Sequence, residues 1–125
     1  MKLIIGGAYQ GKLDFAKTAY GFSDCDIFTC TDTSEIDFSK PCINELQEFT
    51  LYLVKSGQNP VEYLKNTEAQ WKNSVIIARE IFSGIVPIDD TLRLWREATG
   101  RAVTYLSQNA ESVTRLFCGI AQRIK

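Results

Sequence analysis

Leu3-Ile4-Ile5-Gly6-Gly7-Ala8-Tyr9-Gln10-Gly11-Lys12 is the stretch on which the reading of this chain turns. The apolar run Leu3–Ile5, ended by two glycines, reads as a short buried strand. From Gly11 to Tyr20 the pattern becomes helical, with Phe15, Ala16 and Ala19 on one face, and Gly21 is placed to cap it. Between strand and helix, Gly6 to Lys12 fits G-x-x-x-x-G-K, the core of the phosphate-loop pattern. The glycines allow backbone angles that turn successive N–H groups inward on a phosphate. The helix that follows offers its positive N-terminal end to the same anion. Gly6, Gly7, Ala8, Tyr9, Gln10, Gly11, Lys12 and Leu13 are thus the expected nucleotide-phosphate contacts. Lys12 is the residue expected to reach the β- and γ-phosphates in a catalytic role.

Leu13 is the anomaly. A Ser or Thr there ordinarily supplies a magnesium ligand, and leucine has no oxygen. Magnesium is therefore doubtful as a partner of the bound nucleotide. A carboxylate for such a site belongs at a strand end facing the loop. Glu80, after Val75–Ala78, and Asp32, after the second strand, are the metal-ligating candidates, with Glu80 also a catalytic one. Each reads alternatively as a solvated loop carboxylate.

Outward from the loop, Asp26–Cys30 reads as a second strand and Thr31–Pro41 as a polar loop. Ile43, Leu46, Phe49 and Leu53 recur at helical spacing, a stripe that reads as core or as the subunit interface of a homo-oligomer. Asn59-Pro60 opens a short helix through Glu68. Val75–Ala78 is the clearest strand. Pro87 and Asp89 precede a long helix with Leu92, Trp95, Thr99, Ala102 and Leu106 on one face. Val113–Cys118 is a last main strand, with Ile120–Ile124 as an edge strand. Alternating strands and helices predict an α/β fold, a three-layer P-loop NTPase-like arrangement with a mainly parallel sheet. At 125 residues, positions 1–125 suit one such domain.

Composition narrows the chemistry. The formal net charge of −1 provides no global basic field for nucleic acid or an anionic membrane. No apolar run approaches membrane-spanning length, and the N-terminal run is too short for a signal peptide. The chain reads as cytoplasmic. The absence of histidine excludes a His-based triad, a His metal site and any histidine-bound phosphoryl or nucleotidyl intermediate. Cys25, Cys30, Cys42 and Cys118 form no C-x-x-C pair, so they read as reduced, buried and inert thiols rather than zinc ligands.

The C-terminal half adds a resemblance. Glu80-Ile81-Phe82-Ser83-Gly84-Ile85-Val86-Pro87, then Arg93-Leu94-Trp95-Arg96-Glu97-Ala98-Thr99-Gly100-Arg101, then Cys118-Gly119-Ile120, resemble the adenosylcobinamide kinase / adenosylcobinamide-phosphate guanylyltransferase family. That family has an N-E-V-G-x-G-I-V-P stretch, a helix with F-R-D-x-x-G-R-x-N, and a G-G-x-x-S-G-K-S loop. The resemblance covers residues 1–20 and about 74–125. It implies a domain of late cobalamin assembly whose partners are GTP or ATP and a cobinamide. It implies roles for Gly6, Gly7, Gly11 and Lys12 in the loop, Glu80, Gly84, Val86 and Pro87 in the turn, and Arg96, Gly100 and Arg101 in the helix. Several positions depart from the family. Leu13 replaces the loop hydroxyl, Tyr9-Gln10 its x-Ser, Arg79 an Asn, and Val103 the Asn of the helix motif. The family's GMP-accepting histidine has no counterpart, so guanylyl transfer by that route cannot run. Two classes of function remain: a nucleotide-binding relative in cobalamin biosynthesis, and an inactive relative that acts as a binding or regulatory partner.

Overall fold

A computed structural model describes residues 1–81 and 87–125. The expected α/β class is what is found. The chain runs β1 (Lys2–Gly6), α1 (Lys12–Tyr20), β2 (Ile27–Thr29), β3 (Cys42–Asn44), α2 (Leu46–Lys55), α3 (Pro60–Asn66), α4 (Glu68–Trp71), β4 (Val75–Arg79), α5 (Asp90–Asn109), β5 (Ser112–Phe117) and β6 (Ile120–Arg123). The sheet order is β2-β3-β4-β1-β5-β6. Every pairing is parallel except the last, where β6 returns antiparallel against β5. The return is a two-residue turn at Cys118 and Gly119 (φ 52° and 78°), the left-handed pair that suits the twist of a tight hairpin.

Helices cover both faces. Val75, Ile76, Ile77 and Ala78 are all buried, as a central parallel strand requires. Val75 and Ile77 join Ile4, Cys42 and Leu116 under Ala16 of α1, with Leu13 and Phe15 packed at the margin. Ile76 and Ala78 join Leu3, Ile43 and Val113 under Leu46, Phe49 and Leu53 of α2, Leu64 of α3, and Ala102 and Leu106 of α5. The three layers are α1, the sheet, and the remaining helices.

Several sequence expectations need correction. Ile43 opens the predicted helical stripe but lies in β3, between β2 and β4. Leu92, expected on the buried face of α5, is 38% exposed, because the first turns of that helix overhang the core. Trp95 is only half-buried; its indole N–H donates to the Gln47 carbonyl at 2.7 Å. Trp71 is fully buried, and its indole N–H donates to the Leu64 carbonyl at 2.9 Å. Cys30 and Cys42 are buried thiols as expected, but Cys25 and Cys118 are exposed, one on a 3₁₀ turn and one at the hairpin tip. Gly84 and Val86 of the predicted turn lie outside the described residues; Pro87 lies just before α5.

Candidate functional site

The loop leaves the C-terminal end of β1, the sheet edge at which open parallel folds place their ligands. Its glycines do different work. Gly6 is flanked by Arg79 in β4 and Leu116 in β5. A Cβ there would sit 2.7 Å from the Leu116 carbonyl oxygen, so glycine is needed for close strand approach. Gly7 meets nothing closer than Gln10 Cγ at 3.6 Å. The left-handed conformations fall at Tyr9 (φ 59°) and at Gly11 (φ 89°), which caps α1. Tyr9 is fully exposed.

Gln10 fastens the loop to the β5–β6 turn. Its side-chain oxygen accepts from the Cys118 N–H, and its carbonyl accepts from the Gly119 N–H at 3.2 Å. The residue in place of the expected serine is thus a structural tie.

Lys12 is 7% exposed, and its ammonium donates to the Gly7 carbonyl at 2.6 Å. Burial holds its pKa below the ordinary lysine value; the Glu45 carboxylate opposes this, Arg79 adds to it, and Glu80 opposes it. Among the described residues no carboxylate makes a salt bridge to Lys12. Among the described residues, then, Glu45 and Glu80 act on its charge only from beyond salt-bridge distance.

A cleft of about 370 Å³ lies over the loop. Tyr9, Gln10, Gly11, Lys12, Leu13 and Asp14 form one wall, and Asn44 and Glu45 the other. Those last two are set by β3, which ends on Asn44, and by Glu45, which takes a left-handed turn (φ 58°) into α2. Glu45 binds the Arg79 guanidinium at 3.2 Å and accepts from the side-chain amide of Gln47. Gln47, wholly buried, accepts the Arg79 backbone N–H at 2.9 Å. This cluster escaped the sequence reading; the polar pair Asn44-Glu45 behind a two-residue apolar run was its only signal.

The carboxylate candidates are spoken for. Glu80 lies beside the loop, its N–H donating to the Gly6 carbonyl at 2.9 Å. Its side chain, 13% exposed, pairs with Arg115 at 3.2 Å. Asp32 pairs with Lys55 of α2 at 2.9 Å and does not line the loop cleft. Leu13 offers a methyl-bearing chain packed against the core. Among the described residues no group of three or more His, Cys, Asp or Glu is placed to hold a metal. Position 13 supplies no oxygen to a magnesium ion, and Glu80 and Asp32 each hold a basic side chain.

Arg93, Arg96 and Arg101 of α5 line a different and larger cleft, of about 830 Å³, shared with Val61 and Lys65 of α3. Arg93 pairs with Asp90, and Arg101 with Glu97 at 2.5 Å. Neither the loop nor Glu45 borders it. Among the described residues no helix is long and apolar enough to cross a membrane.

A family described as Cobinamide kinase / cobinamide phosphate guanyltransferase matches residues 43–124, well over half of the chain, from within β3 through β6. The chain belongs to this family. No curated protein matches it. Membership in the cobinamide kinase / cobinamide phosphate guanyltransferase family makes cobalamin biosynthesis its setting, and nucleotides and a cobinamide the family's ligands. The match begins after the glycine loop, so residues 6–12 rest on their own sequence pattern and geometry.

Proposed function

We propose that this protein is a nucleoside triphosphate-binding member of the cobinamide kinase / cobinamide phosphate guanyltransferase family, with GTP or ATP held at Gly6–Lys12. One observation carries the reading. Lys12 is buried and lines the cleft over the loop, its ammonium on a loop carbonyl and, among the described residues, not in a salt bridge with a carboxylate. A buried cation is costly unless something compensates it. A phosphate entering the cleft would do so, with loop N–H groups and the α1 N-terminus adding to the attraction.

Guanylyl transfer through a histidine is absent, because the chain has none. Transfer of a phosphoryl group to a cobinamide hydroxyl would need its charge neutralised without the metal ligand at position 13. Binding therefore stands as the primary activity, in an enzyme reduced to its kinase half or in a partner of a complete enzyme. The second reading is favoured by Glu80, the carboxylate that follows β4 beside the loop, being tied to Arg115.

Calorimetric titration of GTP and ATP against wild type and Lys12→Ala tests the proposal. Wild type should bind one nucleotide, and the variant should bind about tenfold or more weakly, the worth of a charge-assisted contact. Equal, undetectable binding by both would refute it. Where binding is found, formation of phosphorylated cobinamide separates enzyme from binding partner.

A further inference from the structure

Arg79 is the charged residue nearest the loop that the preceding sections leave without a task. It closes β4 directly beside Gly6 in the parallel ladder, which puts its backbone at the mouth of the loop. Its guanidinium reaches Glu45, on the far wall of the loop cleft. Its Nε is sealed from solvent and, among the described residues, has no hydrogen-bond partner. A guanidinium has five N–H donors in a fixed fork, and burying one without an acceptor is unfavourable.

The surroundings hold this side chain in place without satisfying it. Gln47 anchors the Arg79 N–H from below and donates to Glu45 alongside. Glu45 itself occupies a left-handed backbone conformation that non-glycine residues rarely adopt. Such strain is maintained only where neighbouring contacts over-determine it. Together these residues position one carboxylate on the cleft wall across from Lys12 and, bonded to it, one cation whose charge is felt at Lys12. A phosphate can take over the carboxylate's bonds to a guanidinium, because the planar fork matches both anions.

We propose that Arg79 is a second phosphate-binding cation of this site, held by Glu45 in the empty protein and transferred to the terminal phosphates when a nucleoside triphosphate enters. This rests on nucleotide binding at Gly6–Lys12. With no side-chain oxygen at position 13, charge on the terminal phosphates would be met by a guanidinium that is part of the chain. Arg79 acts here in binding, and Glu45 as the anion that keeps it in position.

The experiment is calorimetric titration of GTP and ATP, each in EDTA and in magnesium, on wild type, Arg79→Gln, Arg79→Lys, Glu45→Gln and Lys12→Ala. Wild type should bind in EDTA. Arg79→Gln should lose about tenfold or more in EDTA, Arg79→Lys should retain part of that, and Glu45→Gln should bind several-fold more tightly. The double variant Glu45→Gln/Arg79→Gln removes both charges without stranding either; it should show the same loss as Arg79→Gln while melting like wild type. Wild-type affinity in that double variant, with binding still lost in Lys12→Ala, would overturn the role of Arg79 and leave the loop reading intact. Wild-type binding only in magnesium would also overturn it. No binding by wild type under either condition would overturn the loop reading and this one with it.

Discussion

The two leading glycines of the loop should respond differently to the same added methyl. In Gly6→Ala the new Cβ lies 2.7 Å from the Leu116 carbonyl oxygen. That oxygen is backbone, held by β1–β5 pairing on one side and by the β5–β6 hairpin on the other. Relief requires β1 and β5 to part, in a strand whose carbonyl also accepts the Glu80 N–H. Overpacking of this kind costs about 1–3 kcal/mol, and a backbone obstacle places it toward the upper end. With unfolding entropy of about 2 cal/mol/K per residue over 125 residues, a loss of about 2–3 kcal/mol lowers Tm by roughly 8–12 °C. In Gly7→Ala the nearest atom is Gln10 Cγ at 3.6 Å, an ordinary contact, and Gly7 is not among the positive-φ glycines. Its cost should stay below about 0.5 kcal/mol, with Tm within about 2 °C of wild type. Circular dichroism melts of the three proteins check this. A Gly6→Ala melt within about 3 °C of wild type would refute the close-approach argument, as would equal losses for both variants.

Further outcomes follow from the same geometry. Leu13→Ser should leave triphosphate affinity no more magnesium-dependent than in wild type, since Asp32 and Glu80 remain tied to Lys55 and Arg115; titration with and without magnesium measures it. Gln10→Ala cuts the side-chain tie to the Cys118 N–H, so amide hydrogen exchange should accelerate at Cys118 while the β1–β4 ladder keeps its protection. Under native conditions at mildly alkaline pH an alkylating reagent should label Cys25 and Cys118, with Cys30 and Cys42 labelled only in denaturant, as peptide mass spectrometry will show. Burial pushes the Cys30 thiol up to about 12 and the Cys42 thiol to about 11, against 9 when unfolded. Folded thiols therefore keep protons that the unfolded chain releases above pH 9, and stability should fall as pH rises from there, less so in Cys30→Ala relative to its own neutral-pH value.

Much of this was legible in the order of residues. Leu3–Ile5 and Val75–Ala78 are continuous apolar runs because a central strand of a parallel sheet is covered on both faces. The G-x-x-x-x-G-K spacing between strand and helix marked the loop, and the absence of histidine closed one branch of the chemistry. β3 was not legible, since three residues carry no period and Ile43 happens to fall in step with the helix behind it. With β3 went Asn44 and Glu45, and so one wall of the cleft. Nor did spacing reveal that the α5 arginines border a different cleft from the loop.

Local order alone decided where the strand stops, where the helix starts and that position 13 has no oxygen, because those depend on backbone freedom and side-chain type at each residue. Tertiary structure decided the remaining functional facts. Gly6 is required by the Leu116 carbonyl, Gln10 holds a hairpin turn far along the chain, Glu80 is paired with Arg115, and Arg79 faces Glu45. Each of these is a contact between residues more than thirty positions apart. Charge and shape complementarity at that separation exist only once the sheet has set its register, and no short stretch of sequence carries that information.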